Sequence, residues 1–125
     1  MKLPREPGAA ASGRHRLAKF LGARGWGKPG EATPVDDAIL LTNELITNAI
    51  KHGDGHISLT IEYDEPDRLC VAVEDEGSFP LARRGFDAGS IRVRGLGLVA
   101  RVADRWGIES GPTTRVWFEL VRTGA

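Results

Sequence analysis

Leu40-Leu41-Thr42-Asn43-Glu44-Leu45-Ile46-Thr47-Asn48-Ala49-Ile50-Lys51-His52-Gly53 is the stretch on which the reading of the fold turns. At about 100° per residue, Ala38, Ile39, Leu41, Leu45, Ile46, Ala49 and Ile50 cover roughly half of a helix surface. Glu44, Asn48 and His52, each four residues from the next, run up one side beside Leu41 and Leu45. A solvated helix keeps its polar residues opposite the apolar arc. A carboxylate and a carboxamide at the edge of a buried face need a partner, which a ligand, a metal, water or a neighbouring loop can supply. In the plainer alternative, Glu44 and Asn48 bond to such a loop and serve only the fold.

Working outward, the helix has good start and stop signals. Thr33 is placed to cap it, Pro34 suits the first turn, and Asp36 and Asp37 favour the positive end of the dipole. Gly53 ends it. Before it, Ala10 to about Arg24 reads as an amphipathic helix, with Leu17, Phe20 and Leu21 on one side. Arg14, Arg16, Lys19 and Arg24 form a basic outer face, read first as solvated and second as a docking face. Residues 1 to 9, with Pro4, Pro7 and Gly8, read as an irregular lead-in or an edge strand, and Gly25 to Gly30 as a loop.

After Gly53 the period changes to two. Ile57, Leu59, Ile61 and Tyr63 alternate, residues 64 to 67 turn, and Leu69, Val71 and Val73 alternate again, giving an antiparallel hairpin. Its second strand runs into Glu74-Asp75-Glu76-Gly77. Gly77 to Arg94 is aperiodic, and a loop of that length in a small domain is usually functional or mobile. A short helix from Leu96 to about Arg105, a strand around Trp106 to Glu109, and a closing strand from Arg115 to Val121 complete the chain. The order predicts a two-layer α+β sandwich over residues 1–125, an antiparallel or mixed sheet with helices on one face.

Composition bounds the function. The 125 residues suffice for one domain, and 17 basic residues balance 17 acidic ones, which argues against a nucleic-acid binder. No apolar run approaches the roughly 20 residues that span a bilayer, and the first residues lack a signal-peptide core, so a cytoplasmic location is expected. Cys70, the single cysteine, reads as structural and excludes an internal disulfide or a cysteine-rich zinc site.

Three features suit a nucleotide. The oxygen of Asn48 is a hard donor appropriate to Mg²⁺, and Glu44, one turn away, can orient or deprotonate an attacking hydroxyl. Asp75, at a strand end, can accept from an exocyclic amine such as that of adenine. Gly77 after it lets the chain turn. Gly95 and Gly97 open a helix with bare amides, a favourable phosphate position. No dinucleotide fingerprint or P-loop occurs.

In series, Glu44 to Gly53, Val73 to Gly77, Gly95-Leu96-Gly97-Leu98-Val99 and Thr114 to Phe118 resemble the motifs of the GHKL, or Bergerat-fold, ATPases. Within that superfamily the chain most resembles the small anti-sigma factor serine/threonine kinases. The resemblance implies that ATP and Mg²⁺ bind, with Asn48 on the metal and Glu44 as catalytic base. It places Asp75 on the adenine amine, Gly77 under the base, and Gly95, Leu96 and Gly97 around the phosphates. Thr114 would assist Asp75, and His52, Arg94 and Leu98 would line the same nucleotide site. The implied partners are a sigma factor or an antagonist protein, with a homodimer possible and no nucleic acid or membrane. Two departures from the pattern stand out: Phe79 is found where a further glycine is usual, and Arg92 and Arg94 do not fall in clear register with the family's phosphate-contacting arginine. They motivate the alternative of a non-catalytic module of the same fold. A histidine-kinase half is disfavoured, since 125 residues leave no room for a dimerisation domain.

Overall fold

In a computed structural model, residues 1–26, 35–64, 68–77 and 96–121 are described. The elements are β1 (Lys2–Leu3), α1 (Gly8–Ala23), α2 (Val35–His52), β2 (Ile57–Asp64), β3 (Arg68–Asp75), α3 (Gly97–Val102), β4 (Arg105–Ser110) and β5 (Thr114–Val121). The five strands form one sheet in the order β1-β2-β3-β5-β4, and every neighbouring pair is antiparallel. The expected caps Thr33 and Pro34 lie outside the described residues.

The two periods read from the sequence meet in one core. The α2 residues Ala38, Leu41, Leu45, Ile46 and Ala49 are buried, and so are the odd-numbered residues Leu59, Leu69, Val71 and Val73 of the hairpin. Val116, Phe118 and Leu120 of β5 continue that sheet face, and Leu17, Leu21, Leu96 and Val99 cover it from the helices. All of this side-chain traffic lies on one sheet face, as the period-two strands require.

The close packing of α1 on α2 depends on Gly13. A Cβ there would stand 2.3 Å from Cδ1 of Ile46. Trp26, which the sequence assigned to a loop, is buried instead. The chain turns at Gly25, with φ of 80°, and the Trp26 amide donates to Leu21 O at 3.0 Å. Its indole Nε1–H donates to Tyr63 Oη at 3.2 Å, and the two rings pack edge to face.

The helix expected to run to about Arg105 stops at Val102. Ala103 is already extended, and Arg105 pairs with Glu119 in the sheet. Strand pairing there outweighs the local helical pattern.

Thr42 on α2 is fully buried, and its Oγ1 has no hydrogen-bond partner among the described residues. An unsatisfied buried hydroxyl costs more than the methyl that could replace it. Thr42→Val should stabilise the protein by about 1 kcal/mol, raising the thermal midpoint by roughly 3–5 °C. A midpoint that falls in differential scanning calorimetry would show that the hydroxyl has a partner.

Candidate functional site

The polar groups converge where the C-terminus of α2 meets the adjoining ends of β3 and β5. The α2 C-terminus is first tied down by Arg5. Its Nη1 donates to Ile50 O at 2.8 Å and its Nε to Gly55 O at 3.0 Å. One guanidinium thus satisfies an end carbonyl of the helix and grips the loop after it. Gly53 N donates to Ala49 O at 3.0 Å, closing the last turn.

Asp75 is the centre of the cluster. It is 2% exposed, and its Oδ1 accepts the Gly77 amide at 2.7 Å and the Asp54 amide at 3.3 Å. The Glu76 amide donates in turn to Asp54 O at 2.8 Å, lacing the loop to the strand end. These donors compensate a buried carboxylate close to the negative end of a helix. Gly53 makes room for it. A Cβ on Gly53 would stand 2.3 Å from the Asp75 carboxyl carbon and 2.5–2.6 Å from its oxygens. Gly53 is therefore a site residue as well as a helix stop. In this loop the glycine with positive φ is Gly55, at 65°.

Thr114 pairs directly with Asp75 in the β3–β5 ladder and is fully buried. Its hydroxyl donates to Gly77 O at 2.8 Å, so its link to Asp75 runs through the Gly77 peptide. Gly77 itself is held on three sides. A Cβ there would meet Asp54 N and Asp75 Oδ1, each at 3.0 Å, and Gly53 C at 3.4 Å.

Asn48 is 4% exposed, and its Oδ1 is buried without a hydrogen-bond partner among the described residues. It lies five residues before Gly53, roughly 7.5 Å along the helix axis. Glu44, one turn earlier, is half-buried, whereas His52 is exposed. The rising exposure from Asn48 to His52 shows that the polar stripe leaves the core at its C-terminal end.

At the start of α3, Leu96 is fully buried, so its side chain belongs to the core and any ligand contact falls to its backbone. Outside its own helix and chain neighbours, no atom of the described residues lies within 4 Å of a Cβ position on Gly97, and Leu98 is half-buried against the core. Arg94, Gly95, Phe79 and Arg92 lie outside the described residues.

The structure thus brings Asp75, Gly77 and Thr114 into one hydrogen-bonded unit and sets Glu44 and Asn48 on the helix that meets it. Arg5 and the Asp54 amide were not foreseen from the sequence, and Gly53 was read only as a helix stop and motif end. The run His52-Gly53-Asp54-Gly55 was the available signal, two glycines bracketing a peptide immediately after a helix.

Beside the cluster, His56 Nδ1 and Glu76 Oε1 are hydrogen-bonded at 2.9 Å, and that bond lowers the Glu76 pKa from its ordinary value. A carboxyl depressed in the folded state contributes stability above its unfolded pKa and loses it as pH falls through the folded one. His56→Ala should move the Glu76 titration upward, toward an ordinary carboxylate, in a carboxyl ¹³C titration. An unmoved midpoint would mean that the pair is not formed in solution.

Taken together, the fold and the buried cluster define a two-layer α+β domain with its polar groups gathered at one helix–sheet seam. The sequence profile of the histidine kinase-like ATPase domain matches residues 3–120, and the chain belongs to that family. It is accordingly a nucleotide-binding domain of the ATPase type, in agreement with the motif series. No curated protein matches the sequence. Among the described residues, no helix is long and apolar enough to cross a membrane.

Proposed function

We propose that the chain is an ATP-dependent regulatory protein of the anti-sigma type, a serine/threonine kinase acting on an antagonist protein or sequestering a sigma factor. The observation that carries the nucleotide part is the Asp75–Gly77–Thr114 unit. It offers a buried, pre-oriented carboxylate at a strand end, suited to an exocyclic amine. The Asn48 oxygen supports the metal part. A buried neutral oxygen with no protein partner among the described residues fits a hard cation that keeps most of its ligands as water and phosphate.

ATP would supply the phosphoryl group and Mg²⁺ the charge neutralisation. The protein's own contribution is positioning. Asn48 would hold the metal, Asp75 would fix the base, and Gly97 would leave its backbone open to phosphate oxygens. Glu44 would take the proton of the attacking hydroxyl. The sigma-factor and antagonist partners rest on the motif resemblance.

The second reading, a non-catalytic module of the same fold, is favoured by Phe79 in the first glycine box. Calorimetric titration with Mg-ATP and Mg-ADP separates an ATP-dependent protein from a module that holds no nucleotide. Binding of both, with a raised thermal midpoint, is expected for a ligand of the native state. No heat and no midpoint shift at millimolar nucleotide would leave only the module reading.

A further inference from the structure

Arg5 belongs to none of the motifs, yet its guanidinium ends on the loop beside Asp75. Its backbone is fixed by what surrounds it. Leu3, 3% exposed, pairs with Ile57 in the sheet, and the Glu6 and Ala9 amides donate to Pro4 O and Glu6 O, both at 2.9 Å. From this turn the side chain donates to Ile50 O through Nη1 and to Gly55 O through Nε. A helix cap needs only the first of these bonds. The second reaches past the end of α2, into the loop that follows it.

That loop holds the buried carboxylate. Asp54 gives its amide to Asp75 Oδ1 and accepts from the Glu76 amide, and Gly53 lies against the Asp75 carboxyl group. Gly55 is packed as tightly on the neighbouring side chain, since a Cβ there would stand 2.7 Å from the Cβ of Glu76. The same loop is therefore bonded to Arg5 and pressed on the end of β3. The two amides on Asp75 Oδ1 are not equal. Gly77 donates at 2.7 Å, and Asp54, from the loop that Arg5 holds, at 3.3 Å. The longer bond is the weaker one, so it breaks first if the loop shifts.

We infer that Arg5 is a positioning residue for the base-reading carboxylate. By holding Ile50 O and Gly55 O together it fixes the Asp54 amide on Asp75 Oδ1, and it thereby sets the preference for an amine over a carbonyl on the bound base. The inference rests on the nucleotide reading of Asp75 and adds a residue that never touches the ligand. Its fork of donors suits two carbonyls at once, and its charge suits the negative end of α2.

The test uses the full chain. Arg5→Met keeps the aliphatic stem and removes every donor, and because Arg5 is exposed the variant should fold. Parent and variant are titrated in parallel with Mg-ATP and Mg-inosine triphosphate, whose base carries a carbonyl in place of the amine. The preference for ATP should fall by roughly 3–10-fold, the worth of about one hydrogen bond. In the unliganded variant the Asp54 and Glu76 amides should exchange roughly 5-fold faster or more, while the Ile46 amide inside α2 keeps its parental rate. Arg5→Lys retains a cation at the helix end without the fork, and should restore the thermal midpoint but not the base preference. A lowered midpoint with parental base preference in Arg5→Met would make Arg5 a helix cap only and overturn the inference. Parental exchange at Asp54 and Glu76 would overturn it too, and so would full recovery of the preference by Arg5→Lys, since charge alone would then suffice. A parent protein that binds neither nucleotide would sink the reading of Asp75 and this inference with it, whereas a parent that binds ATP and a Met variant with unchanged preference sink the inference alone.

Discussion

Glu44→Gln protein is expected to bind Mg-ATP as tightly as the parent while transferring phosphate to a partner roughly 10²–10⁴-fold more slowly, the range for a positioned acid–base group. A residue acting on the attacking hydroxyl matters more in the transition state than in the ground state, so the loss belongs in kcat. The half-buried position of Glu44, one turn from Asn48, suits a group that must reach both the protein interior and an incoming hydroxyl. Asn48→Ala should behave in the opposite way. Because the Asn48 Oδ1 has no hydrogen-bond partner among the described residues, its removal strips no internal hydrogen bond from the fold. The unliganded midpoint should change little, and the upward shift caused by Mg-ATP should disappear. The comparison needs radiolabelled ATP, a candidate antagonist protein and a thermal melt. Glu44→Gln protein that labels its partner at the parental rate would remove Glu44 from the chemistry. Nucleotide affinity unchanged in Asn48→Ala would remove Asn48 from the metal.

Much of this layout was legible in the chain. The arc of α2 was read almost residue by residue, because burial of one face imposes the period directly: Ala38, Leu41, Leu45, Ile46 and Ala49 are its buried apolar residues, with Ile39 and Ile50 at the margin. Asp75 and Thr114 were singled out as neighbours 39 positions apart, and the β3–β5 register pairs them. What could not be read was direction and space. A motif names Thr114 but does not say that its proton goes to the Gly77 carbonyl. A glycine after a helix is taken as a stop, and only the packing shows that Gly53 is small because a carboxylate presses on it. Arg5 was invisible for a related reason, since its partners are carbonyls 45 and 50 residues away. Trp26 lies inside a breaker-rich stretch, and local composition hid a long-range bond to Tyr63.

The geometry around Asp75 implies that one substitution there should change base preference. Asp75→Ala would be a poor test, because it strands the Gly77 amide in a buried position and weakens the fold. Asp75→Asn avoids this. The carboxamide can keep its oxygen on the Gly77 and Asp54 amides, as Oδ1 does now, and turn its NH₂ toward the ligand. A donor then faces the adenine amine, also a donor, and one charge-assisted hydrogen bond is lost. ATP affinity should fall by about 1.5–3 kcal/mol, or roughly 10–150-fold. Inosine triphosphate carries a carbonyl where ATP carries the amine, so the same NH₂ can now donate to it. The variant should therefore lose much less affinity for inosine triphosphate, and the preference for ATP over it should shrink or reverse. Parallel titrations of the two nucleotides against both proteins measure this ratio directly. Equal losses for both nucleotides, with a lowered thermal midpoint, would mean that Asp75 serves the fold and does not read the base. An unchanged ATP affinity in a protein that melts normally would take Asp75 out of the nucleotide site altogether.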